Sequence, residues 1–167
     1  MKNKMINMSN IDSDRPQAQI LDCTIRDGSY VVDYQFTAED TFIIARGLSA
    51  AGISRIEVGH GLGLNAQYKG KGRAAITDTD YIKSAKKAVA ESVLVGSFYI
   101  PGIGTEDSIR AAVDAGMDFV RLGIDVDDYD KLEHFVQLAN ELKIEVWGNL
   151  MKSYIVSPEE FGKIARR

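Results

Sequence analysis

Residues 20–30 read ILDCTIRDGSY: an apolar, β-branched run that passes directly into a charged loop opened by a glycine. A parallel strand covered by helices ends in this way, apolar on both faces along its length and carrying its polar groups where strand gives way to loop. The same transition recurs downstream. Strands are expected at Ile20–Ile25, Arg55–Val58, Ser92–Tyr99, Phe119–Leu122 and Ile144–Gly148, and they begin about 25–40 residues apart, a spacing that suits βα crossovers.

Helices are expected between them. Thr37 reads as an N-cap, with Glu39 and Asp40 in the first turn, Phe42, Ile43, Ala45, Leu48 and Ala51 at helical spacing, and Gly52 as the stop. Further helices are expected over Asp80–Ala90, from Thr105 through Ile109, Ala112 and Val113 to Gly116, and over Tyr129–Leu142, where Leu132, Phe135, Val136 and Leu138 share a face. Ser157 and Pro158 open another, with proline at the first helical position. Two architectures share this alternation. A doubly wound sheet of order 2-1-3-4-5 fits 167 residues, whereas a complete (β/α)8 barrel needs about 250 residues, so length alone favours the open sheet.

Composition narrows the function. The chain is 45% hydrophobic and 26% charged, enough apolar material for a sizeable core, and its net charge of -4 gives nucleic acid or an anionic membrane no broad reason to bind. Cys23 is the single cysteine, so no internal disulfide or cysteine zinc cluster is expected. No apolar run reaches the roughly 20 residues of a membrane span, and residues 1–18 are expected to be a poorly ordered tail, too polar for a signal sequence; a cytoplasmic protein is the expectation.

The candidate chemistry lies at strand ends. Arg26 and Asp27 form either a turn-capping ion pair or a site, in which Asp27 offers a hard oxygen ligand to a divalent metal and Arg26 a planar donor fork to a carboxylate or enolate. Glu57 and the GHGLGL loop, residues 59–64, follow the second strand. His60 there reads as a ligand, a proton shuttle or a hydrogen-bonded loop residue, and the glycine spacing is not that of a nucleotide-binding loop. His134 lies in a helix and reads as a surface or core-edge residue. Lys69, Lys71 and Arg73 fall in a long loop that is either a substrate lid or a solvated connection. IPGIGT, residues 100–105, turns sharply before a helix and either exposes N–H groups to substrate or shapes the loop.

Taken together, TIRDGSY, RIEVGHGLGL, FYIPGIGT, VRLG and LMKS resemble the N-terminal half of the 4-hydroxy-2-oxovalerate aldolases, in the metal-dependent lyase superfamily that also holds isopropylmalate synthase and HMG-CoA lyase. The resemblance runs from about Ile20 to the end. It implies a parallel (β/α) barrel of TIM type, incomplete, with about five of eight strands over residues 19–167. It implies cleavage of a 4-hydroxy-2-oxoacid to pyruvate and an aldehyde, with Mn²⁺ or Mg²⁺ stabilising an enolate, and a place in aromatic hydrocarbon catabolism. By position Arg26 matches the enolate-stabilising arginine, Asp27 the metal-binding aspartate and Glu57 the acidic residue of strand two, with Gly28 and Ser29 beside the substrate and His60 and Tyr30 as further catalytic candidates. An acylating aldehyde dehydrogenase partner is implied too, and a homo-oligomer is compatible.

Two departures accompany the resemblance. Tyr30 stands where these aldolases carry a histidine base, and a tyrosine with a pKa near 10 is a poor base at neutral pH. The His-x-His metal ligands of a sixth strand have no counterpart, His60 and His134 being the only histidines. The expectation is therefore a partial barrel without its C-terminal catalytic half. The alternatives are a condensing synthase or other carbon–carbon lyase of the same superfamily, and a non-catalytic half-barrel that pairs its open strand edges with a partner chain.

Overall fold

The computed structural model describes residues 19–167; the tail expected over residues 1–18 lies outside the described residues. Five parallel strands, β1 (Leu21–Asp22), β2 (Arg55–Glu57), β3 (Leu94–Tyr99), β4 (Phe119–Asp125) and β5 (Glu145–Met151), pair in the order β1-β2-β3-β4-β5. This sequential order corrects the doubly wound alternative, which requires β1 to lie between β2 and β3. The sheet also curls. In a flat sheet β2 and β5 would stand three strand spacings apart, about 14 Å, yet Arg55 of β2 donates to Glu145 of β5 at 3.3 Å and lies over the Trp147 ring. The chain is a half-barrel, an incomplete TIM-type fold.

The helices between the strands are α1 (Ala38–Ala50), α2 (Asp78–Ala88), α3 (Glu106–Asp114) and α4 (Glu133–Glu141), and α5 (Pro158–Ile164) follows β5. Their starts are set by side chains. Thr37 and Asp40 make a reciprocal capping box at α1, Thr105 and Ser108 do the same at α3, Thr77 caps α2, and Ser157 caps α5 ahead of Pro158. At the end of α1, Gly52 has φ +86° and Ile53 N–H returns to the Leu48 carbonyl, the left-handed stop expected of a glycine there.

Side-chain alternation sorts the strands into two faces. Ile56, Val58, Val95, Tyr99, Val120, Leu122 and Ile124 point outward into a continuous core with Ala45, Tyr81, Ile82, Ile109, Ala112 and Leu138 of the helices. Each large side chain sealed here contributes about 1.5–3 kcal/mol. The opposite, concave face carries Arg55, Glu57, Phe98, Phe119, Arg121, Trp147 and Asn149, and this is the polar face. No helix among the described residues is long and apolar enough to cross a membrane.

Several boundaries differ from the sequence expectation: β3 starts at Leu94, β4 runs on to Asp125 and β5 covers Glu145–Met151, and three further differences have a local cause. β1 is short because the Cys23 carbonyl accepts from the N–H groups of Arg26, Asp27 and Gly28, turning the chain into a 3-10 helix over Asp27–Val32, while the Asp22 carboxylate holds Thr24 N–H at 2.9 Å. The Thr77 cap starts α2 at Asp78 rather than Asp80. The helix expected from Tyr129 begins as a 3-10 helix, Val126–Leu132, and becomes α only at Glu133. Residues three apart eclipse in 3-10 geometry, which lets Lys131 pair with Asp128 at 2.6 Å.

Candidate active site

The ends of β1 and β2 and the middle of β4 bring one fully buried carboxylate against two guanidinium groups. Glu57 Oε1 accepts from Arg121 Nε at 2.8 Å, and Oε2 accepts from Arg121 Nη2 at 2.7 Å and from Arg26 Nε at 2.6 Å. Arg121 is therefore bidentate, the strongest geometry for this pairing. Arg26 also donates through Nη1 to Asp27 Oδ1 at 2.9 Å and to the Gly61 carbonyl at 3.2 Å, which ties the loop after β1 to the loop after β2. Both guanidinium groups stack on Phe98, with their carbons 4.8 and 4.7 Å from its ring centre.

Burial alone would push the Glu57 carboxyl up, but the Arg121 hydrogen bonds and the charges of Arg26 and Arg121 outweigh it and hold the group below the ordinary glutamate range. Cys23 donates to Glu57 Oε2 at 3.4 Å, and burial, then the Glu57 charge, push its thiol up to about 11. The thiol stays protonated at neutral pH and is no nucleophile. Glu57 and Asp27 together balance the two guanidinium charges, and Asp27, its side chain 65% exposed, sits at the rim.

The other expected residues fall around this centre in different ways. Ser29 is fully buried and its hydroxyl donates to the Arg26 carbonyl at 2.7 Å, so it shapes the turn that presents Arg26. Gly28 lies in the same turn. Tyr30 is partly exposed, its ring lies against Gly61, and burial, then neighbouring Tyr34, push its hydroxyl above the ordinary tyrosine value; it is a proton donor at neutral pH. His60 is fully buried and stacked on Tyr34 at 3.8 Å, and its Nδ1 accepts from Leu62 N–H at 3.1 Å. That bond places the neutral ring's proton on Nε2, and burial holds the pKa below the usual histidine value, so the ring is neutral at pH 7. His134 is exposed and pairs with Glu106 at 2.7 Å.

The flanking loops are pinned. The loop carrying exposed Lys69, Lys71 and Arg73 is anchored by Asn65 N–H to Asp78 at 2.7 Å, Ala75 N–H to the Tyr34 carbonyl, and Gln35 to the Arg73 carbonyl. In the IPGIGT turn the N–H groups of Ile103 and Gly104 both go to the Ile100 carbonyl, and Ser108 takes that of Thr105. That turn shapes the loop and keeps these donors for itself. In the GHGLGL loop Gly63 has φ +85°, and a Cβ there would stand 2.2 Å from the Phe98 carbonyl oxygen. Gly63→Ala is expected to cost at least the ~1–3 kcal/mol of a strained backbone residue, read as a lowered urea midpoint.

The donors do not make an ion site by themselves. Both oxygens of Glu57 are taken by guanidinium groups, and among the described residues no three His, Cys, Asp or Glu side chains are grouped to hold a metal. Asp27 Oδ2 remains without a partner there. Sequence reading passed over Arg121, Asn149 and Phe98. The signal for Arg121 was present, a lone cation in the apolar run FVRLGI with the parity of Phe119 and Gly123.

Fold and cluster together define a parallel barrel-type protein with an arginine–carboxylate centre on its concave face, between the C-terminal ends of β1 and β2 and the middle of β4. The chain belongs to the HMGL-like family, whose model matches residues 17–164. It is 40% identical over 148 residues to the 4-hydroxy-2-oxovalerate aldolase of Carboxydothermus hydrogenoformans, covering 89% of this chain and 44% of that protein. It is 39% identical over 141 residues to that of Moorella thermoacetica, covering 84% and 41%. The chain thus spans less than half the length of these curated relatives. The crystal structure of the N-terminal domain of a candidate aldolase from Bacteroides vulgatus superposes with a TM-score of 0.59 at 18% identity, covering 88% of this chain and 52% of that one, and supports the fold.

Proposed function

We propose that this chain supplies the anion-binding part of an aldolase that cleaves a 4-hydroxy-2-oxoacid to pyruvate and an aldehyde. The observation that carries the reading is Arg26: two of its nitrogens are fixed by Glu57 and Asp27, while Nη2 has no partner among the described residues and is not sealed from solvent. A guanidinium held in this way is preorganised for a carboxylate or a developing enolate oxygen, and its contact with the Phe98 face keeps the site partly dry. Tyr30, protonated, donates a hydrogen bond rather than accepting a proton.

A divalent ion, Mn²⁺ or Mg²⁺, belongs to this reading and supplies Lewis-acid stabilisation of the enolate when bound. Asp27 is the member of the cluster able to ligate it, so anion binding and orientation are the share of the reaction these strands carry. The substrate class is a small 2-oxoacid, and an acylating aldehyde dehydrogenase that consumes the aldehyde is the partner this chemistry would call for. Expressed from its gene and given Mn²⁺ and 4-hydroxy-2-oxopentanoate, the protein is expected to release pyruvate, followed by coupled lactate dehydrogenase. Metal demonstrably bound with no pyruvate formed would overturn the reading. The protonated Tyr30 favours a second reading, a condensing or other carbon–carbon lyase reaction, whose mark is metal-dependent deuterium exchange into pyruvate without cleavage.

A further inference from the structure

Arg121 spends its guanidinium inside the protein. Nε and Nη2 go to Glu57, Nη1 goes to Asn149 Oδ1 at 3.0 Å, and Nη2 also approaches Cys23 Sγ at 3.8 Å. Arg26 differs, because its Nη2 has no partner among the described residues. Neighbouring inward positions of β4 are Phe119 and Gly123, so a cation here is a local exception on its strand. Taking such a group out of water is expensive, and apolar replacements of buried ion networks are often neutral or stabilising. Its presence beside a binding group therefore calls for a role other than stability.

We propose that Arg121 is a positioning residue: its paired hydrogen bonds fix the Glu57 carboxylate, and Glu57 in turn holds Arg26 with Nη2 left for an anionic ligand. Asn149 of β5 completes the chain by fixing Arg121 itself. The inference rests on the anion-binding reading of Arg26, but its link from Arg121 through Glu57 to Arg26 is measurable without ligand. Two parallel bonds align the carboxylate with the guanidinium plane, which a lysine ammonium cannot do. The charged or titratable groups facing Glu57 are Arg26 and Cys23 from the β1 end and Arg121 from β4.

The test uses the 167-residue chain labelled with ¹³C-glutamate and ¹⁵N-arginine, as wild type, Arg121→Met and Arg121→Lys. In Arg121→Met the Glu57 carboxyl midpoint is expected to rise by about one pH unit or more, and the Arg26 Nε–H signal to move over the same range as its acceptor protonates. Arg121→Lys is expected to show a smaller rise, since charge returns without the paired bonds. Loss of the Arg121 charge alone would raise the Glu57 midpoint, so the Arg26 signal at pH values above that midpoint decides: if it is unchanged in folded Arg121→Met, the proposal is overturned. Should circular dichroism show that variant unfolded, the same signal in Arg121→Lys decides. Oxalate titrated into the same samples separates the two ideas: failure to bind wild type counts against the anion-binding reading, while the Arg26 signal still judges Arg121. Equal oxalate affinity in wild type and Arg121→Met counts against positioning.

Discussion

Replacing Glu57 by alanine is expected to destabilise the protein by about 3–5 kcal/mol, the cost of leaving buried charges without their partner. The carboxylate is fully buried and is the acceptor shared by Arg26 and Arg121, so its loss leaves two guanidinium groups close together beside Phe98 with no shared acceptor. Urea unfolding at pH 7 checks this, and a change below about 1 kcal/mol would mean that solvent already screens the cluster like a surface pair. Folded Glu57→Gln gives a second reading of the same interaction. With the neighbouring negative charge gone, the Cys23 thiol is expected to fall from about 11 toward its usual 9.0, measured by the pH dependence of alkylation at the chain's single cysteine.

The same groups set how stability follows pH. Glu57 has its folded pKa depressed, so it contributes stability above the unfolded value of about 4.3, and that contribution is lost as pH falls through the folded value. Cys23 works at the other end. Its folded pKa is raised, so its contribution is complete below about pH 9 and is lost between about 9 and 11 as the unfolded thiol ionises first. His60, held neutral by burial, adds an acid-side loss that begins near the unfolded histidine value of about 6.5. A stability plateau between about pH 7 and 9 is the combined expectation.

The strands, the helices and the Arg26–Asp27–Glu57 set were legible because each sits where a local pattern changes: β-branched run to loop, cap to helix, strand to glycine. Strand order was not legible in the alternation, which sequential and doubly wound sheets share; it came from the resemblance to a barrel family, and the observed order β1-β2-β3-β4-β5 agrees with that. Arg121 was hidden by its neighbours. In a strand buried on both faces the period-2 signal is weak, so the lone cation of FVRLGI marks position 121 as unusual without saying that it meets Glu57, two strands away. His60 shows the converse. A histidine at a strand end suggests chemistry, but the Tyr34 ring that covers it comes from a different loop, and no local pattern announces a stacking partner 26 residues upstream.

Arg26→Ala is expected to lower pyruvate release by a factor on the order of 10²–10³, the typical cost of removing one preorganised donor at developing negative charge. The loss should fall mainly in kcat, because a donor aimed at an enolate oxygen gains most of its strength as charge builds there. Lysine is not expected to rescue. Arg26 makes three kinds of contact at once, to Glu57, to Asp27 and the Gly61 carbonyl, and to the Phe98 face. An ammonium can replace the charge but not the planar fork that lets the same group bind Glu57 and still present a free nitrogen. Steady-state kinetics of the alanine and lysine variants, with folding checked by circular dichroism, decide the matter. If Arg26→Lys retained near wild-type kcat, point charge alone would suffice, and the geometry held by Glu57 and Arg121 would have no catalytic consequence.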